Sequence, residues 1–155
     1  MALDFPNGYT PERELGEGSM GRVWLARVDA NGGHCAIKVL NLRNDRKGSA
    51  ERSFNREVRA MARLEHPGVI DVFDFGRTEA GSPFVAMEYA SGSPLNPYMR
   101  GGWDWPRLWT LLDGLLGGLG HAHSRELIHR DLKPGNVIVM PDRTRQGAIK
   151  LADFG

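Results

Sequence analysis

His129-Arg130-Asp131-Leu132-Lys133-Pro134-Gly135-Asn136 packs a base, two cations and a metal-ligand type of amide into eight residues. Leu127 and Ile128 precede this stretch, and Val137, Ile138 and Val139 follow it. A rigid apolar scaffold therefore presents a polar loop, the usual way a fold displays chemistry. Asp153-Phe154-Gly155 comes after a second short apolar run, which places another carboxylate where a second metal contact would be needed.

Outward from this loop, residues 137–140 and 148–151 read as short strands. Upstream, residues 104–123 read as a helix, with Asp104 as N-cap and Pro106 in the first turn, where its missing N–H costs nothing. A shorter helix is expected near residues 97–100. The Ser/Gly/Pro-rich stretch 90–97 reads as a hinge between two lobes. Before it, residues 69–75 and 83–89 read as strands. Residues 49–64 read as a helix, because Phe54, Val58 and Met61 fall at i, i+4 and i+7 and His66-Pro67-Gly68 closes it. Residues 9–15, 22–28 and 35–40 read as strands, with Asn31-Gly32-Gly33 as a hairpin turn.

Gly16, Gly18 and Gly21 form G-x-G-x-x-G. Glycines let a backbone approach phosphate oxygens and donate N–H groups to them. The same spacing serves dinucleotide-binding folds, but there the glycines open a helix. Here they lead into the strand of Val23, Trp24, Leu25 and Ala26, which makes a hairpin. Lys38 follows Ala36 by two residues, so both point to one face of a strand. An isolated strand lysine is ordinarily solvated. Glu57 changes that reading, because it lies within the apolar stripe of its helix with no cation three or four residues away. A carboxylate on an apolar face is costly unless paired at a distance, and Lys38 is the natural partner.

These motifs, in this order and spacing, resemble the eukaryotic-type (Hanks-type) Ser/Thr protein kinases. The likeness runs from about Tyr9 to the end. Gly16 to Trp24, with Met20 at the loop tip, is similar to the bacterial members. The resemblance implies an α+β, protein-kinase-like two-lobed fold, with a β-rich N-lobe over residues 9–90 and the start of a helical C-lobe over residues 91–155. It implies that Gly16, Gly18 and Gly21 cover the phosphates of ATP, and that Lys38, steadied by Glu57, holds the α- and β-phosphates. Val23, Ala36 and Ile138 would sandwich the adenine. Met87 would be the gatekeeper, with backbone groups of Glu88 and Ala90 bonding the adenine edge. Asp131 would orient the substrate hydroxyl and accept its proton, and Lys133 would stabilise the γ-phosphate. Asn136 and Asp153 would hold two magnesium ions. Lys133, two residues after Asp131, marks the Ser/Thr type. Met61, Val72, His129 and Phe154 match the buried stack that links the lobes.

The resemblance also implies an activation loop, an Ala-Pro-Glu element and further helices after Asp153-Phe154-Gly155. The chain is thus expected to be an incomplete portion, weak or inactive alone, with the leucines of residues 104–123 lacking part of their cover. Gly114, Gly117, Gly118 and Gly120 should lower that helix's intrinsic stability. A small-molecule phosphotransferase of the aminoglycoside or choline type shares the His-x-Asp-x-x-x-x-Asn loop, but Arg130, Lys133 and the full glycine loop favour a protein substrate. A non-catalytic, pseudokinase-like nucleotide-binding fragment is the other alternative, although no catalytic residue is substituted. A nicotinamide-dependent dehydrogenase fails on strand context.

Composition agrees with this reading. Twenty basic against nineteen acidic residues give a net charge of +1, which offers nucleic acid no basic face. The single cysteine, Cys35, permits no internal disulfide and reads as a small buried hydrophobe. No apolar run near the start resembles a signal peptide, and residues 108–119 are too short and polar to span a bilayer. A cytoplasmic, soluble protein is expected. The basic patch 43–47 reads as a solvated loop. His66, His121 and His123 read as helix-end or surface residues, and Trp103, Trp105 and Trp109 as core anchors.

Overall fold

The computed structural model describes residues 3–18, 21–41, 48–102, 104–141 and 148–154. Met20, the patch 43–47, Trp103 and Gly155, all named above, lie outside them. The chain divides by its internal contacts into two units: Met1–Arg59 with Val72–Tyr89, and Ala60–Asp71 with Ala90–Gly155.

In the first unit, β1 (Tyr9–Gly18), β2 (Gly21–Val28) and β3 (His34–Leu40) form an antiparallel meander. With β4 (Val72–Arg77) and β5 (Pro83–Glu88) they make a five-stranded sheet of order β1-β2-β3-β5-β4. The β2–β3 turn forms as its sequence predicts. Asn31 Oδ1 accepts the Gly33 N–H at 2.9 Å. Gly32 supplies the left-handed φ of 71° that an L side chain resists. Period-two alternation sends Ala26, Cys35, Ile37, Phe84 and Ala86 into one buried cluster. Ile37 is wholly buried, which contributes about 1.5–3 kcal/mol. Tyr9 on β1 donates its hydroxyl to Asp74 on β4 at 3.2 Å.

The helix α1 (Ser49–Met61) buries Phe54, Val58 and Met61, the predicted stripe. It ends earlier than residue 64. The Arg63 and Leu64 amides bond back three residues, to Ala60 and Met61, so the chain tightens into a turn. β4 also starts later than expected. Val69 lies in the second unit and forms a parallel bridge with Leu151, with a turn from His66 before it. A buried apolar run such as Val69-Ile70 does not reveal from sequence which sheet it joins.

In the second unit, β6 (Ser93–Pro94), β7 (Val137–Val139) and β8 (Ile149–Leu151) form a three-stranded antiparallel sheet. A 3-10 turn, Asn96–Arg100, leads to α2 (Trp105–His123). Asp104 Oδ1 caps α2 by accepting the Arg107 N–H at 2.8 Å, as its position predicts. The buried face of α2 is Leu111, Gly114, Gly118 and Ala122. Trp105 and Trp109 are not core anchors. They are 68% and 54% exposed, and their rings meet each other 6.2 Å apart on the opposite side of the helix. Among the described residues no helix is long and apolar enough to cross a membrane.

Candidate functional site

In the first unit, the strand register brings several of the expected site residues to one face. Val23 lies opposite Lys38, and Lys38 opposite Val85. Leu25 lies opposite Ala36, and Ala36 opposite Met87. Directly opposed residues of an antiparallel sheet share a face, so Val23, Ala36, Lys38 and Met87 all point the same way. Ala36 and Met87 are buried, while Val23 and Lys38 are half-buried. Glu88, half-buried, ends β5, and Ala90 opens the second unit.

The three glycines divide their work. A Cβ at Gly21 would lie 2.1 Å from the Val39 carbonyl oxygen, so this glycine lets β2 pack on β3. A Cβ at Gly16 would meet nothing within 4 Å, and one at Gly18 only the Gly21 carbonyl oxygen at 3.9 Å. These two leave the strand ends bare, open to a ligand that approaches the backbone. Glu57 is half-buried on α1 and accepts the Ser53 hydroxyl at 2.7 Å. Ser53 is a partner four residues away, which a search for cations alone passes over.

In the second unit, the loop after His129 closes on itself. Asp131 N–H reaches back to the His129 carbonyl at 2.8 Å, with Arg130 held at φ 61°. Lys133 is extended, and Pro134–Asn136 makes a 3-10 turn. That turn brings Asn136 under Asp131. Asn136 Nδ2 donates to the Asp131 carbonyl at 2.9 Å and to its Oδ2 at 3.0 Å. Lys133 Nζ donates to the same Oδ2 at 2.9 Å. Two donors on one oxygen favour the ionised form, so Lys133 first, then Asn136, holds the Asp131 carboxyl below its ordinary range. The same bond raises the Lys133 ammonium above its own ordinary value.

His129 anchors the loop. It is 2% exposed, and its Nε2–H donates to the Ala152 carbonyl at 3.0 Å. Its ring lies over buried Phe154, with centroids 4.4 Å apart. Burial pushes its pKa down, so the imidazole is neutral at pH 7. Ala152 N–H in turn donates to the Asn136 carbonyl at 2.9 Å. Asp153 follows directly, with φ 52°. One network thus places Asp131, Lys133, Asn136 and the backbone of Asp153. Ile138 is half-buried on β7, opposite Lys150.

Among the described residues, no cluster of three or more His, Cys, Asp or Glu makes a protein-only metal cage. The donor chemistry present is hard oxygen. With Asn136 Nδ2 committed to Asp131, its Oδ1 is left for a cation, and Asp153 brings a carboxylate. One or two such ligands, completed by water and phosphate oxygens, suit magnesium.

The family model for the protein kinase domain matches residues 9–155. The chain is 39% identical over 153 residues to the serine/threonine-protein kinase pkn3 of Myxococcus xanthus, covering 95% of this chain and 27% of that protein. It is 34% identical over 152 residues to the serine/threonine-protein kinase PknF of Mycobacterium tuberculosis, covering 96% of this chain and 32% of that one. The chain therefore spans about a third or less of the length of these relatives. The crystal structure of the M. tuberculosis PknI kinase domain superposes with a TM-score of 0.79 at 32% identity, covering 99% of this chain and 61% of that one.

Proposed function

The chain belongs to the protein kinase domain family, and on that premise we propose that it carries the ATP-handling residues of a Ser/Thr protein kinase. The reaction moves the γ-phosphoryl group of ATP to a serine or threonine hydroxyl of a protein, in the cytoplasm where ATP is supplied. The observation that carries this reading is the Asp131–Lys133–Asn136 constellation, with two donors on one carboxylate oxygen.

From the first unit, Gly16, Gly18 and Gly21 cover the phosphates. Lys38 binds the α- and β-phosphates and Glu57 steadies it. Val23 and Ala36 contact the adenine, Met87 bounds its pocket, and the backbone of Glu88 bonds its edge. In the second unit, Asn136 and Asp153 would hold magnesium. When bound, magnesium neutralises charge on the phosphate oxygens. Asp131 accepts a hydrogen bond from the substrate hydroxyl. As the hydroxyl oxygen bonds to the γ-phosphorus and the bridge to the β-phosphate breaks, the proton passes to Asp131 and ADP leaves. The depressed basicity of Asp131 fits late proton transfer, so catalysis rests on positioning and charge. Lys133 sits within reach of Asp131, where the incoming γ-phosphate needs a cation.

Two assays test this. Saturating Mg·ATP, at about a hundred times its dissociation constant, should stabilise the folded chain by roughly 2.7 kcal/mol, visible as a rise in melting temperature. Lys38→Ala and Asp153→Ala should each remove that rise. Asp131→Asn should keep it and lower phosphotransfer to Ser/Thr peptides by roughly a hundredfold or more. A response to Mg·ATP that survives both binding-site variants would refute the reading. An aminoglycoside as the only phosphorylated product would move the substrate class to small molecules.

A further inference from the structure

His66 and His121 come together from distant points of the second unit, and neither has a role in phosphotransfer. His66 lies in the connection after α1 and is half-buried. His121 lies in the last turn of α2. Their rings sit 5.1 Å apart, tilted by 40°. Each ring acts as a hydrogen-bond acceptor for the backbone of the connection. His66 Nδ1 accepts the buried Gly68 N–H at 3.0 Å, and His121 Nε2 accepts the Glu65 N–H at 3.2 Å.

A neutral imidazole has one acceptor nitrogen, and an imidazolium has none. Protonation of either ring therefore turns an acceptor into a donor that faces another donor. The surroundings worsen this. Arg125 Nη1 lies 3.2 Å from His121 Nδ1 on α2, so donors stand at both nitrogens of this ring; the neutral ring accepts from one of them at a time and the imidazolium from neither. Lys150 on β8 and His121 both act on His66. Glu65 meets His121 through its N–H, as a donor. Gly117 on α2 adds no charge, and a Cβ there would lie 3.5 Å from the His66 ring. Burial first, then His121 and Lys150, hold His66 below its ordinary pKa.

The connection matters because it is stitched to β8. Gly68 carbonyl accepts the Leu151 N–H at 2.8 Å, and Leu151 carbonyl accepts the Ile70 N–H at 3.0 Å. Asp153 follows β8 two residues later.

We infer that His66 and His121 form a pH-sensitive latch, which holds residues 65–70 against α2 and β8 at neutral pH and releases them in mild acid. This inference does not depend on phosphotransfer. The sign follows from linkage. A released histidine takes up protons near pH 6.5, and the latched His66 ring does so only lower. Acid therefore favours the open form.

The test uses the 155-residue chain at pH 7.5 and 5.5, by NMR. The ring resonances of His66 should titrate below pH 6.5. Hydrogen exchange at the Glu65 and Gly68 amides, corrected for the intrinsic rate, should be faster at pH 5.5 by up to roughly tenfold for each histidine released. The double variant His66→Asn, His121→Gln keeps a side-chain acceptor at each place without a titrating group, and its corrected exchange should be flat with pH. Titration of the His66 ring at or above pH 6.5 in the native chain, or the same acid-induced exchange in the double variant, would overturn the latch. If the double variant does not fold, the native titration and exchange decide alone.

Discussion

Asp131 shares one carboxylate oxygen between Lys133 and Asn136, and that shared atom is the sharpest handle at the residue scale. Lys133→Met removes the larger influence on its ionisation. The Asp131 carboxyl should then titrate closer to its ordinary value of 3.8, shifting upward, as read by carbon-13 NMR. The variant also removes the cation proposed to meet the γ-phosphate, so phosphotransfer should fall with it. An unmoved Asp131 titration would mean the bond does not persist in solution. Residues of this kind were legible because they sit within a few positions of one another and their chemical types are uncommon together. His66 and His121 were not. Each alone reads as a helix-end histidine, and the bond from Glu65 to His121 spans 56 residues. Trp105 and Trp109 misled for a related reason. Size suggests burial, but the helical phase of Leu111, Gly114, Gly118 and Ala122 sets the inward face, and the two tryptophans lie across from it.

At the scale of elements, α2 shows why propensity alone mislabels a helix. Its glycines look like four equal weaknesses, but they differ by contact. A Cβ at Gly114 would lie 2.9 Å from Ile149 Cγ1, and one at Gly118 would lie 3.0 Å from both the Gly68 carbonyl oxygen and Leu151 Cδ1. These two let the helix touch β8 and the connection before Val69. Gly120 has nothing within 4 Å and is exposed. Gly118→Ala should therefore destabilise by about 1–3 kcal/mol, despite a propensity gain of up to about 1 kcal/mol. Gly120→Ala should stabilise by about 0.5–1 kcal/mol. Urea midpoints of the two variants should move in opposite directions, and movement in the same direction would refute the contact argument. Element types were readable from period and capping, as Asp104 and Asn31 show. Element limits were less readable. The end of α1 and the start of β4 are set by where residues 60–71 pack, and Val69 finds its partner in Leu151, far along the chain.

For the whole molecule, buried titratable groups set the pH range of stability. Burial lowers His129 and His66 from 6.5. In acid the unfolded chain binds these protons first, so stability is full above about pH 6.5 and falls as pH drops below it. Asp131, lowered from 3.8, adds a second loss in stronger acid, as the unfolded carboxyl protonates first. On the alkaline side the signs reverse. Burial raises Cys35 from 9.0, and burial, helped by Asp74, raises Tyr9 from 10.0 to about 12. The unfolded chain releases these protons first, so their share of stability is present below pH 9 and is lost as pH rises, with Tyr9 spent by about pH 12. The urea midpoint should thus hold a plateau between about pH 6.5 and 9 and decline on both sides. Tyr9→Phe should flatten the loss between pH 10 and 12 while leaving the acid limb unchanged. Tyr9 bonds Asp74 across β1 and β4, so this variant also costs some stability at neutral pH, and only the slope carries the test. An alkaline slope unchanged in Tyr9→Phe would place the responsible protons elsewhere. A midpoint that climbs as pH falls from 6.5 to 5.5 would mean that His129 and His66 gain partners for their charged forms, the reverse of what the burial of both dictates.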